Sequence, residues 1–172
     1  MILIALGANI VGPAGTPIET LEAAVERMGE CGITILSRSH WYQTSPVPAS
    51  DQPDYINGVA IVETALEPEK LMAHLHALEN EFGRTRQQRW EARALDLDLL
   101  AYHEFVTLET VKESAQDLII PHPRLHLRRF VLEPLVEIAL EWRHPTYGMN
   151  AGELLAKLTD SDRCEPIHPR GI

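Results

Sequence analysis

The sequence predicts an α+β fold in which a mostly antiparallel sheet carries helices packed against it. Segments with the apolar or alternating pattern of strands occur at residues 2–6, 33–37, 55–63 and 96–102. Helical patterns separate the first strand from the second and the third from the fourth. The order β, α, β, β, α, β is that of ferredoxin-like folds. A helical and hairpin extension is expected after this core.

Length and composition limit the classes of protein to consider. The 172 residues predict one domain over positions 1–172, with 160–172 as a poorly ordered tail. A net charge of −10 argues against a nucleic-acid partner. The two cysteines provide neither a disulfide framework nor a cysteine-based zinc site. Without a signal peptide or a membrane-spanning run, a cytoplasmic location and no membrane partner are expected.

The first strand is a continuous apolar run at residues 2–6, which predicts burial on both faces. Residues 7–9 are then expected to turn the chain away. Asn9 is either a functional polar group at the strand end or a turn former, and the sequence leaves both open.

Helix boundaries are marked by proline and glycine. Thr16 and Glu19 form a capping box around Pro17, which is expected to begin the first helix. Pro68 begins the second helix and Gly83 ends it. A third helix is expected to begin before Pro134, and a fourth to lie within residues 150–158.

The fourth strand carries two carboxylates next to a basic segment. Because strand side chains alternate, Asp96 and Asp98 share one face, with Cα atoms roughly 7 Å apart, while the neighbouring leucines share the other. Carboxylates at this spacing suit two magnesium ions. The upstream arginines suit phosphate oxygens; they are Arg84, Arg86, Arg89 and Arg93. Alternatively, the carboxylates form a solvated sheet face and the arginines pair with surface acids.

A second candidate site follows a proline-rich loop at residues 45–54. Tyr55 and Asn57 share one face of the third strand, where they could stack on and hydrogen-bond a flat heterocycle. Alternatively, Tyr55 packs at a sheet edge and Asn57 faces solvent.

Several motifs occur in a specific order along the chain. They are residues 6–9, 42–46, 51–57, 83–86, 89–90, 93–98, 120–124, 130–132 and 134–135. On these motifs the chain resembles the 6-hydroxymethyl-7,8-dihydropterin pyrophosphokinase family of the folate pathway over nearly its full length. The resemblance implies transfer of diphosphate from ATP to the pterin hydroxymethyl group, with release of AMP.

The resemblance also implies roles for individual residues. Asp96 and Asp98 would hold two Mg²⁺ ions, and Arg84 and Arg93 would act in catalysis. The residues implied for ATP are Glu79, Arg84, Arg86, Trp90, Arg93, His122 and Arg128, with Trp90 in a lid. The residues implied for the pterin are Thr44, Ser45, Val47, Tyr55, Asn57 and Phe130. The substrates would be these two small molecules, and the chain is expected to be a monomer.

The chain departs from the family pattern at two places. Ala8 replaces a serine in the first motif, which removes a hydroxyl but keeps the turn. Glu91 and Ala92 replace the usual glycine and proline after Trp90, which changes the expected lid and adds a negative charge near the triphosphate.

Two other classes of function remain open at this stage. One is a ferredoxin-like regulatory module that binds a small ligand without turnover, although retention of Asp96 and Asp98 disfavours it. The other is a metal-dependent nuclease, which would need a broader basic face than this acidic chain offers. Formation of AMP from ATP and the pterin alcohol would separate all three.

Overall fold

The computed structural model describes residues 1–83, 93–107, 118–159 and 162–168. Within these residues the chain forms six strands, four helices and a 3₁₀ turn. The elements are β1 (Ile2–Ala8), α1 (Pro17–Glu30), β2 (Thr34–Arg38), β3 (Tyr42–Thr44), β4 (Tyr55–Glu63), α2 (Pro68–Glu81), β5 (Asp96–Tyr102), the 3₁₀ turn (Leu125–Leu127), α3 (Arg129–Ile138), α4 (Ala151–Leu155) and β6 (Cys164–Pro166).

The strands form one sheet in which every described pair is antiparallel. β1 lies between β5 and β4, and the other edge of β4 pairs with β2 along one half and with β3 along the other. β3 also pairs with β6. The elements β1, α1, β2, β4, α2 and β5 give the predicted βαββαβ order, so the predicted fold class is confirmed.

Helices cover both faces of the sheet. Ile2, Ile4 and Leu6 of β1 pack in one core cluster with α1 and α2, whereas Leu3 packs in a second cluster with α3 and α4. β1 is therefore buried on both faces, as its uninterrupted apolar sequence predicts.

The predicted helix boundaries are closely matched. The Glu19 amide donates to Thr16 Oγ1 at 3.3 Å, and the Thr16 amide donates to Glu19 Oε2 at 2.7 Å, so the capping box is present. Gly83 has a φ of +91°, which is the left-handed conformation that glycine adopts without strain after a helix. α3 contains Pro134, as expected for a helix that begins before that residue. None of the described helices is long and apolar enough to cross a lipid bilayer.

Two short strands were not predicted. β3 and β6 have three residues each, which is too short for an alternating pattern to be recognised. β3 forms because it pairs with β4 and with β6, and β6 forms because it pairs with β3. The Ser45 amide adds a bond to the Arg163 carbonyl at 3.3 Å. The sequence predicts a poorly ordered tail at 160–172, whereas Cys164–Pro166 form β6.

Candidate active site

A cavity of about 330 Å³ opens at one end of the sheet, on the face that α3 and α4 cover elsewhere. Its floor includes Ala5 and Gly7 of β1, which pair with Asp98 and Asp96 of β5. The remaining walls come from the loop after β3, the start of β4 and the segment that leads into α3. Because Ala5 and Gly7 have little or no side chain, they leave space between β4 and β5, which bear larger polar side chains.

Gly7 permits a close approach by Asn57, its partner across the β1–β4 ladder. A Cβ atom at Gly7 would lie 2.6 Å from Asn57 Oδ1, which is shorter than any normal contact. Asn57 Nδ2 donates to Thr44 Oγ1 at 2.7 Å, and both side chains are nearly fully buried. Two residues predicted to contact the pterin are thus brought together, and the carboxamide of Asn57 has a fixed orientation.

The other residues predicted for the pterin line the same cavity; they are Ser45, Val47, Tyr55 and Phe130. The Tyr55 hydroxyl donates to Gln52 Oε1 at 3.2 Å. Burial raises the pKa of Tyr55, so its phenol stays neutral at physiological pH. This half of the cavity combines two aromatic rings with amide and hydroxyl groups, as a flat polar heterocycle requires.

The opposite half carries the two predicted metal ligands. Asp96 forms an ion pair with Arg93, and Asp98 Oδ2 accepts from Arg128 Nη1 at 3.1 Å. Although burial opposes the charge of Arg93, the Asp96 carboxylate raises the pKa of its guanidinium. Burial lowers the pKa of Arg128, and Asp98 partly compensates. Two carboxylates and two guanidinium groups therefore face one space, and an anion could replace the carboxylates as partner of the arginines.

His122 lies beside this group, with its Nε2 atom 3.9 Å from Asp98 Oδ2. Burial lowers the pKa of His122 to about 4, against the opposing effect of Asp98, so the ring is neutral near pH 7. The Arg124 amide donates to His122 Nδ1 at 3.2 Å, which places the single ring proton on Nε2. His122 therefore presents a neutral donor to the cavity.

The donor set fits magnesium. Within the described residues there is no group of three or more histidine, cysteine, aspartate or glutamate side chains that could hold a metal ion alone. Mg²⁺ commonly uses one or two protein carboxylates and completes its shell with water and substrate phosphates. Asp96 and Asp98, on one strand face and both partly exposed to the cavity, match that need.

Not every predicted site residue is among the described residues that line the cavity. Arg84, Arg86, Arg89 and Trp90 lie outside the described residues, as do Glu91 and Ala92. Glu79 lies on α2 and does not line the cavity; its Oε1 atom accepts from the Leu97 amide at 2.8 Å. Its buried carboxylate thus holds β5 from the face opposite to Asp96 and Asp98.

Sequence reasoning assigned no function to several residues that line the cavity. Gln52, Ser50 and Pro48 belong to the proline-rich loop, and Arg124 follows His122 by two residues. Gln52 and Arg124 lie inside motifs that carried the resemblance, so the motifs themselves were the available signal. Ala5 and Gly7 could have been found from the alternation of β1.

Comparisons with known proteins assign this chain to a family. The family described as 7,8-dihydro-6-hydroxymethylpterin-pyrophosphokinase matches residues 3–140. A 2-amino-4-hydroxy-6-hydroxymethyldihydropteridine pyrophosphokinase from Haemophilus influenzae is 44% identical over 138 residues, which cover 79% of each chain. The protein of the same name from Pseudomonas aeruginosa is 37% identical and covers 90% of each chain.

The fold is found again in a solved structure. A crystal structure of wild-type Plasmodium falciparum HPPK-DHPS matches 91% of this chain with a TM-score of 0.66 and 16% identity, over 43% of that longer chain. At this identity the match supports the fold only. The family match and the similar relatives show that the chain belongs to the 7,8-dihydro-6-hydroxymethylpterin-pyrophosphokinase family and is an ATP-dependent diphosphotransferase.

Proposed function

We propose that this chain transfers the terminal diphosphate of ATP to the hydroxymethyl group of 6-hydroxymethyl-7,8-dihydropterin and that the two halves of the cavity divide the substrates. The hydroxymethyl oxygen forms a bond to the β-phosphorus of ATP as the bond from that phosphorus to the oxygen shared with the α-phosphate breaks. AMP leaves with that bridging oxygen, and the hydroxyl proton passes to solvent. The observation that carries this proposal is one cavity with amide and aromatic groups at one end and paired carboxylates and arginines at the other.

The pterin is proposed to bind between Tyr55 and Phe130. Asn57 and Thr44, held together at 2.7 Å, would offer hydrogen-bonding groups to the polar edge of the pterin. Ser45 and Val47 border the same space and would contact the ring through the loop after β3. A pocket of this kind orients the hydroxymethyl group toward the carboxylate half.

ATP is proposed to bind in the other half through its phosphates. Arg93 and Arg128 are held in place by Asp96 and Asp98 and would also contact phosphate oxygens. The neutral His122 would donate from Nε2 without adding charge. Arg84, Arg86 and Trp90 are proposed to complete this half on the basis of the sequence alone.

Two magnesium ions are proposed to bind at Asp96 and Asp98. When bound, magnesium supplies positive charge that neutralises the phosphates during transfer. The chain itself places both carboxylates on one face of β5. It also holds Arg128 Nη1 3.1 Å from Asp98 Oδ2. Positioning and charge stabilisation, rather than a side-chain base, are proposed to provide most of the rate.

A regulatory module without turnover is not favoured, because the relatives from Haemophilus influenzae and Pseudomonas aeruginosa, which match most of this chain, are named as pyrophosphokinases. One assay tests the proposal: purified protein is incubated with ATP, Mg²⁺ and the pterin alcohol, and AMP is measured with and without the pterin. We expect AMP to form in equal amount to the pterin diphosphate. AMP formation that does not require the pterin, or ADP as the nucleotide product, would contradict the proposal.

We also propose that the protein acts as a monomer in the cytoplasm. Described residues of a single chain line both halves of the cavity, so the proposed site does not need a second subunit. Sedimentation velocity at the concentration used for the assay would show one species of about the mass of one chain.

A further inference from the structure

Asn9 connects three segments that meet behind the cavity. It directly follows β1 and is 3% exposed. Its backbone amide donates to the Arg93 carbonyl at 3.0 Å, and its side-chain Oδ1 atom accepts from the Arg93 backbone amide at 2.7 Å. Its Nδ2 atom donates to Gln52 Oε1 at 3.2 Å and to the Pro53 carbonyl at 3.3 Å.

The orientation of this carboxamide is determined by its neighbours. Rotation by 180° would set the NH₂ group against the Arg93 amide and the oxygen against two acceptors, so only one orientation satisfies all three bonds. A turn-forming asparagine would bond within its own turn, whereas Asn9 binds residues more than 40 positions away on two different segments. This pattern separates the two interpretations that the sequence left open.

Two partners of Asn9, Arg93 and Gln52, line the cavity and contact a further group there. Arg93 forms the ion pair with Asp96, and Gln52 accepts from the Tyr55 hydroxyl. The hydrogen-bonded series Tyr55, Gln52, Asn9, Arg93, Asp96 therefore runs from the proposed pterin half to the proposed phosphate half. Asn9 does not line the cavity itself, so it acts through its neighbours.

We propose that Asn9 is a positioning residue that sets Arg93 and Asp96 at the correct distance from the pterin half. This proposal rests on the proposed function. If Asn9 only stabilised a turn, its loss would lower stability and leave transfer in the folded protein unchanged. If it positions Arg93, its loss lowers the rate of transfer between substrates that both remain bound, because small displacements of a reacting pair reduce rates strongly.

The test compares Asn9→Ala with Asn9→Asp in the full chain. Asn9→Ala removes every side-chain bond. Asn9→Asp keeps the acceptor for the Arg93 amide and loses the donors to Gln52 and Pro53. Asn150→Ala is the matched control, because Asn150 caps α4 through the Glu153 amide at 2.8 Å and does not line the cavity.

Rapid-quench single turnovers at saturating ATP, Mg²⁺ and pterin measure transfer, and calorimetry measures the affinity for each substrate alone. We expect Asn9→Ala to lower the transfer rate at least about 100-fold, and Asn9→Asp, which loses the link to the pterin half, to lower it at least about tenfold, with affinities within about threefold of wild type. Asn150→Ala should transfer at the wild-type rate.

Two results would overturn the assignment. One is a transfer rate for folded Asn9→Ala close to that of the control; the other is a rate for Asn9→Asp within about threefold of wild type, which can be read even if Asn9→Ala does not fold. An inactive wild-type protein would instead refute the proposed function, so the two failures are distinguishable.

Discussion

At the scale of single residues, Gly7 shows how the absence of a side chain shapes this cavity. Its partner Asn57 lies over the position that a Cβ atom would occupy. The alternation of β4 predicts that Tyr55 and Asn57 share a face, but it does not predict that Gly7 and Thr44 fix the carboxamide of Asn57 from two sides. Contacts between strands of distant sequence become visible only in the folded chain.

Gly7→Ala should therefore weaken pterin binding. The new Cβ atom would force Asn57 away from Thr44, and we expect a loss of about 1–3 kcal/mol of binding free energy, similar to that of Asn57→Ala. Calorimetry with the pterin alone measures it. Gly29→Ala in α1 is the control, because its Cβ atom would meet nothing within 4 Å. Wild-type affinity in Gly7→Ala would show that Asn57 does not contact the pterin.

Asp96→Asn and Asp98→Asn should lower turnover by several orders of magnitude, because carboxylates bind Mg²⁺ and amides bind it poorly. Affinity for the pterin alone should remain close to that of wild type, since both carboxylates lie in the half of the cavity proposed for the phosphates. Steady-state rates over a range of Mg²⁺ concentrations, combined with calorimetry, would check both statements. Equal activity in either variant would remove that carboxylate from the proposed metal site.

At the scale of elements, β3 and β6 are the two strands that the sequence pattern does not predict. Three-residue strands lack a recognisable period, and their stability comes from pairing across the sheet. Arg163, next to β6, also binds Asp54 Oδ2 at 3.2 Å, which ties the end of the chain to the loop before β4. Helices with proline and glycine boundaries were predicted well because those signals are local.

A chain that ends at Thr159 should bind the pterin more weakly than one that ends at His168. The shorter chain leaves β3 without its β6 partner and removes the Arg163 contacts with Ser45 and Asp54, so the loop beside the pterin half loses support. Fluorescence titration with the pterin would compare the two chains. Equal affinities would mean that β4 alone holds β3 in place.

His144 provides a pH-dependent contribution to the packing of the segment between α3 and α4. The side chain is buried, and its ring contacts those of His126, Trp142 and Tyr147. Burial, aided by His126, lowers its pKa to about 4. Its value in the unfolded chain is about 6.5, so the unfolded state binds more protons between these values. Stability is therefore lost as pH falls from about 6.5 to about 4.

Between about pH 6.5 and about pH 4, protonation linked to His144 should lower the free energy of unfolding by on the order of 3 kcal/mol. Burial also lowers the pKa of His122 to about 4, so both residues contribute to the total pH dependence. Urea unfolding of wild type and His144→Gln at several pH values isolates one residue. The difference between the two proteins should shrink toward pH 4, and a constant difference would refute this assignment.

At the scale of the whole molecule, the sequence predicted the order of the core elements and the two groups of residues that meet in one cavity. It did not predict that α3 and α4 cover the second face of the sheet and leave one end open. That division depends on where the C-terminal helices pack, which no periodicity specifies. Asn9 is a similar case, because its three partners lie on two segments distant in sequence.

The two-sided burial of β1 has a consequence for the way this protein opens. Six of the seven β1 residues are buried, the strand pairs along both edges, and helices lie above and below it. Its amide hydrogens should exchange with deuterated solvent only when the entire domain unfolds, whereas those of β3 and β6 should exchange through partial opening. Part of the cavity wall could then open and reclose many times while the strand that carries its floor stays intact.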